Sequence, residues 1–169
     1  AAMVPGAALA ADTGNFSTVD QAGTGKLYHE TLSKALDAIS GYSENNKIIT
    51  VEANSVELSG SIDRGIKLVV PSGKTATVES GKFSVSGTLE LTGGTVSVAP
   101  GATLSVGGTI VNNGTVDVEL GTTLNSGGTF TVNGDISGSG SISVGKNANA
   151  TLKDGYEVTG TLTNDGTVT

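Results

Sequence analysis

The feature that most constrains this chain is a beat of about twenty residues through its last two thirds. Val56, Ala76, Val96, Val116, Ile136 and Tyr156 are evenly spaced. Two places later Leu58, Val78, Val98, Val118 and Val158 keep the same interval, with Gly138 as the single gap. A second series runs through Leu104, Leu124, Ile142 with Val144, and Leu162. A third runs through Leu89 with Leu91, Ile110, Phe130, Ala150 with Leu152, and Val168. The units are short apolar-x-apolar triplets, such as Val116, Asp117, Val118 and Phe130, Thr131, Val132, set between turns of Gly, Asn and Thr. Alternation with period two marks a strand, and a repeat in this size range marks a solenoid.

A three-residue strand cannot hold a sheet alone. Coiled so that each slot stacks on the equivalent slot one repeat later, every strand gains a neighbour above and below, and the alternate apolar residues share a narrow interior. Residues 47–169 therefore read as an all-β parallel β-helix with three short strands per turn, roughly six rungs about 4.8 Å apart. Sharp corners explain the glycines at Gly87, Gly94, Gly108, Gly114, Gly121, Gly128, Gly160 and Gly166. Composition agrees: the chain has 26 Gly, 4% aromatic residues and no Trp. A helical bundle of this size packs around larger anchors.

Charge narrows the partners. The net charge is −7 and the isoelectric point is near 4.5, so phosphate backbones repel the chain and nucleic acid is not an expected partner. With no cysteine, a disulfide framework and a thiolate metal site are excluded. No run is long enough to span a membrane. The opening AAMVPGAALAAD resembles the end of a secretory signal, with Ala8, Leu9, Ala10 and Ala11 at the spacing of an Ala-x-Ala cleavage site. Export to the cell surface or medium is the expectation. Residues 1–25 read as an apolar arm followed by a polar linker over 11–25.

One helix is expected, in KLYHETLSKALDAISG, with residues 26–46 as a capping region. Tyr28, Leu32, Ala35, Leu36 and Ile39 fall on one helical face, and Gly41 sits where a helix end favours a left-handed residue. Because the helix precedes the first rung, its apolar face is available to plug that end of the bore. At the other end, TLTNDGTVT reads as repeat without a second plug.

The order of helix, then KIITVEANSVELSGSI, then VVPSGKTATVESGKFSVSGTLELTGGTV resembles the pectin-lyase-like right-handed β-helix proteins found among secreted bacterial repeat proteins and adhesins. The resemblance spans the chain from about Lys26 onward. It implies an exported right-handed β-helix with an N-terminal cap; the fold hosts polysaccharide lyases, adhesins and passive stalks alike.

The residues for catalysis are missing from the pattern. The lyases of this fold use clustered Asp residues for calcium and an Arg or Lys as base; here the one arginine, Arg64, has only Asp63 beside it and reads as a solvated corner. His29 is the single histidine, so a triad or a zinc site has no second member, and a local hydrogen bond is its expected role. Asp117 and Glu157 fall in the outward column Glu57, Thr77, Ser97, Asp117, Ser137, Glu157, two rungs or roughly 10 Å apart. Calcium needs its oxygens at about 2.3–2.6 Å, so these two cannot share an ion. Threonine columns, Thr103 with Thr123, Ser143 and Thr163 and Thr109 with Thr129, raise ice binding, but Ser143 and Asn149 interrupt them and Thr is an ordinary exposed strand residue. No catalytic residue, cofactor or metal is expected.

These readings converge on a non-catalytic extracellular structural protein that stacks end to end with itself into a filament or surface layer. Its junction is expected to use Ala1, Met3, Val4, Pro5 and Leu9 of the arm with Leu162 and Val168, and its cap helix Tyr28, Leu32, Leu36 and Ile39. The alternative is an adhesin or glycan-binding module of a longer surface protein, with cell-surface polysaccharide as ligand.

Overall fold

The computed structural model describes residues 13–169 except 100, 113–114, 119–122, 127–128, 133–134, 138–140, 145–148, 153–160 and 165–166, with side chains described for 13–99, 101–105, 107–111 and 168–169. Its first elements are a hairpin, β1 (Phe16–Val19) and β2 (Lys26–His29), a helix α1 (Leu32–Ile39) and a 3-10 turn (Glu44–Asn46). The chain then coils. β3 (Ile48–Val51), β4 (Ser55–Glu57) and β5 (Gly60–Ile62) make the first rung. β6 (Lys67–Pro71), β7 (Thr75–Val78) and β8 (Lys82–Val85) make the second; β9 (Thr88–Thr92), β10 (Thr95–Val98) and β11 (Thr103–Val106) the third. β12 (Thr109–Asn112), β13 (Thr115–Val118) and β14 (Thr123–Ser126) follow, then β15 (Thr129–Val132), β16 (Asp135–Ser137) and β17 (Ser141–Val144). β18 (Asn149–Leu152), β19 (Thr161–Asn164) and β20 (Thr167–Val168) complete the coil.

From β3 to β18 strands three apart in this order pair in parallel, and β19 and β20 pair in parallel with β17 and β18, giving three sheets. The first runs β2-β1-β3-β6-β9-β12-β15-β18-β20, the second β4-β7-β10-β13-β16, the third β5-β8-β11-β14-β17-β19. This is the parallel β-helix that the repeat requires. In the second sheet the interval holds at twenty residues: Val56 pairs with Ala76, Ala76 with Val96, Val96 with Val116 and Val116 with Ile136.

The core is the bore. Ile49, Val51, Leu68, Val70, Ala76, Val78, Phe83, Leu89, Leu91, Val96, Val98, Leu104 and Ile110 are all buried in one cluster. β6, β7, β9 and β10 send alternate residues inward, as their alternation of buried with half-buried or exposed positions records. Burying one such aliphatic side chain stabilises by about 1.5–3 kcal/mol, and the ladder repeats that gain at every level.

Corners hold the levels together. Thr109 N–H donates to Gly87 O at 2.9 Å, and Thr88 N–H to Ile66 O at 2.9 Å. A Cβ on Gly108 would stand 2.0 Å from Gly87 O, and one on Gly87 2.1 Å from Ile66 O. Only glycine permits this close backbone stacking.

The cap differs from the sequence reading in three respects. Residues 16–19 are strand β1 rather than linker, paired antiparallel with both β2 and β3. The Gly, Thr and Asp around this FSTV run form the hairpin turn: Thr24 N–H donates to Asp20 Oδ1 at 2.8 Å, and Asp20 N–H to Gly25 O at 2.9 Å. Tyr28 belongs to β2 and not to the helix, because the Thr31 side chain caps α1 by accepting from Lys34 N–H at 3.2 Å. Its four-residue spacing from Leu32 is coincidental. Gly41 is not left-handed; the helix end tightens instead, with Tyr42 N–H donating to Ile39 O at 3.0 Å.

Candidate functional site

The capped end gathers most of the polar chemistry of the described residues. α1 packs on β1, β2 and β3; Leu32, Ala35 and Ile39 are buried in the same cluster as Phe16, Ile49, Val51 and Val56, with Leu36 half-buried at its margin. The helix thus closes the apolar interior at this end. Outside, Glu52 ties the hairpin to the first rung: it accepts from Ser17 Oγ at 2.6 Å and pairs with Lys26 Nζ at 2.5 Å. Burial pushes the Glu52 carboxyl up, but the Lys26 and Ser17 hydrogen bonds and the lysine charges outweigh it and hold the group below the usual carboxylate range. The backbone N–H groups of Thr24 and Gly25 likewise hold Asp20 low.

His29 shares a hydrogen bond with Thr18 Oγ1 at 2.8 Å, and burial lowers its pKa. Asp63 and Arg64 are exposed in the corner between β5 and β6. Among the described residues no group of three or more His, Cys, Asp or Glu could hold a metal ion, and no helix is long and apolar enough to cross a membrane.

Two grooves meet at Asn15 and Glu30. The first, about 630 Å³, is walled by Tyr28, His29 and Lys34 with Thr13 and Gly14; its Lys34 Nζ contacts Glu30 Oε2 at 2.6 Å. The second, about 510 Å³, lies between α1 and the open side of β4 and β5. Those two strands end their sheets, so their outer backbone groups have no partner strand among the described residues. Sequence reasoning missed this edge, which exists because the hairpin extends only one of the three sheets. The signal was there in FSTV and KLYH, two short β-rich runs around a Gly-rich turn.

Of the expected junction residues, Ala1, Met3, Val4, Pro5 and Leu9 lie outside the described residues. Leu162 sits in β19, paired with Ile142; Val168 is half-buried in β20, paired with Ala150. The structure does not show the two groups together.

The outer faces carry rows of hydroxyls. In the second sheet Thr75 pairs with Thr95 and Thr95 with Thr115, and Glu57, Thr77, Ser97, Asp117 and Ser137 align as read from sequence; Glu157 lies outside the described residues. One threonine column is corrected. Thr123 pairs with Ser141, and Ser141 with Thr161, whereas Ser143 and Thr163 stand in the neighbouring column below Asn125. The step from β16 to β17 is two residues shorter than that from β13 to β14, which shifts the register. Thr109 and Thr129 align, followed by Asn149.

Searches against protein-family models, characterised proteins and solved structures gave no match.

Proposed function

We propose that this chain is a non-catalytic extracellular structural protein, a subunit that stacks end to end into a filament or surface layer with the N-terminal arm at the junction. The observation that carries this reading is the edge of β4 and β5 at the capped end, which has no partner strand among the described residues. Unpaired strand edges template pairing with another chain, and β16 and β19 end the same two sheets at the far side. A neighbour stacked on the capped end would continue both sheets in the same sense. The signal-like opening supports an exported location, and the resemblance to pectin-lyase-like surface proteins belongs to the same reading.

Sedimentation velocity of the untagged chain at neutral pH tests it: large species growing with protein concentration are the expected result, and deletion of residues 1–11 should abolish them. Persistent monomers overturn stacking; unchanged assembly after the deletion overturns the role of the arm. The second reading, a module binding cell-surface polysaccharide, draws on the half-exposed hydroxyl rows of Thr75, Thr77, Thr95 and Ser97. Glycan-array binding by stable monomers would favour it.

A further inference from the structure

At the capped end the outermost strands do not lie at one level. The hairpin adds β1 and β2 beyond β3 on the first sheet, while the other two sheets stop at β4 and β5 among the described residues. Neighbouring strands are spaced by about 4.8 Å, so β2 stands about 10 Å above the first rung. α1 lies in the same layer, against β1, β2 and β3, and a helix with its side chains is about 10–12 Å across. A neighbour whose coil continued through β4 and β5 would bring its own first-sheet strand directly above β3. That place is taken by β1, which pairs antiparallel with β3.

We propose that β1, β2 and α1 together, residues 16–39, are an autoinhibitory lid that must leave the first rung before a second copy of this chain stacks there. The proposal rests on the filament reading and adds its control. With the lid in place, a neighbour finds two free edges beside a step. With it displaced, β3, β4 and β5 present all three edges of one rung, each running in the sense of the coil.

The cap is built to move as a unit. α1 packs on both strands of the hairpin, and the bond between His29 and Thr18 Oγ1 at 2.8 Å falls inside it. Its attachment to the coil is narrower. Beyond the β1–β3 ladder of Phe16 with Val51, Ser17 with Thr50 and Thr18 with Ile49, the polar side-chain ties to the first rung converge on Glu52 among the described residues. That carboxylate accepts from Ser17 Oγ at 2.6 Å and pairs with Lys26 Nζ. Phe16, Leu32, Ala35 and Ile39 share the buried cluster with Ile49, Val51 and Val56, and freeing them is the cost that keeps a single chain closed. A stacked neighbour covers the same first-rung positions, so the end of the bore stays shut in both states. The connector between α1 and β3, residues 40–47, spans roughly 27 Å at full stretch, which lets the lid swing clear while still attached.

The chain has no cysteine, so a lock can be introduced without interference. Ser17 and Thr50 are opposite in the ladder, and opposite residues have Cβ atoms about 4.5–5.5 Å apart. Ser17→Cys with Thr50→Cys should stay monomeric when oxidised and form large species in sedimentation velocity when reduced. In assembled wild type, amide exchange over residues 16–29 should be at least tenfold faster than in the monomer, and exchange over 55–62 slower. This wild-type comparison decides the matter should the substitutions themselves prevent assembly. Equal assembly of oxidised and reduced forms, or filaments with residues 16–29 as protected as in the monomer, would overturn the lid and leave stacking intact. If the wild type never assembles, stacking is overturned and the monomer judges the lid. Residues 16–39 exchanging together, at least tenfold faster than β9 and β12, then keep it detachable; protection equal to those strands overturns it.

Discussion

At Gly108 a single hydrogen decides whether two turns of the coil can stack. Its missing Cβ leaves room for Gly87 O, which would stand 2.0 Å away, whereas a Cβ on Gly107 would meet nothing within 4 Å. Gly108→Ala should therefore lower the unfolding free energy by about 2 kcal/mol or more, read from the urea midpoint, and Gly107→Ala should change it by less than about 0.5 kcal/mol. Equal effects would contradict the corner geometry. In the bore, Phe83 is fully buried, and Phe83→Ala should cost about 3–5 kcal/mol by the same measurement. Inward residues were legible because alternation and the repeat point to the same positions. His29 and Arg64 were legible as well, one held by Thr18 and the other exposed in a corner. The misplaced Ser143 column was not: a fixed interval of twenty ignores one shorter step, and only backbone pairing reveals it.

At the scale of elements, the cap was the part least legible. Tyr28, Leu32, Leu36 and Ile39 are spaced as a helix would space them, yet a strand ends at His29 and a capped helix begins at Leu32. Two short strands joined by a polar turn carry no repeat, and their average composition is that of a loop. Their stability is predicted to depend on acid. His29, Glu52 and Asp20 all have folded pKa values below their ordinary ones, so the unfolded state binds more protons as pH falls, and stability present at neutral pH is lost. The His29 contribution goes first, below about pH 6.5, followed by Glu52 below about 4.3 and Asp20 below about 3.9. Corrected for intrinsic rates, amide exchange between pH 7 and pH 4 should therefore rise in β1 and β2 ahead of β9 and β12. Uniform loss of protection along the coil would contradict this. Glu52→Gln should flatten the part below about 4.3.

For the whole molecule, the architecture followed from one regularity. Strands of two to five residues acquire neighbours only by stacking on their own repeats, and every parallel pairing described realises that stack. What the regularity could not convey is how the stack starts, because among the described residues the hairpin covers one sheet and leaves two edges open. The proposed polymer follows from that asymmetry. Electron microscopy of the untagged chain at neutral pH tests it most directly. The account predicts straight filaments with strands perpendicular to the filament axis, a spacing near 4.8 Å along it and a longer repeat equal to one subunit. Uniform single particles across the accessible concentration range would contradict it.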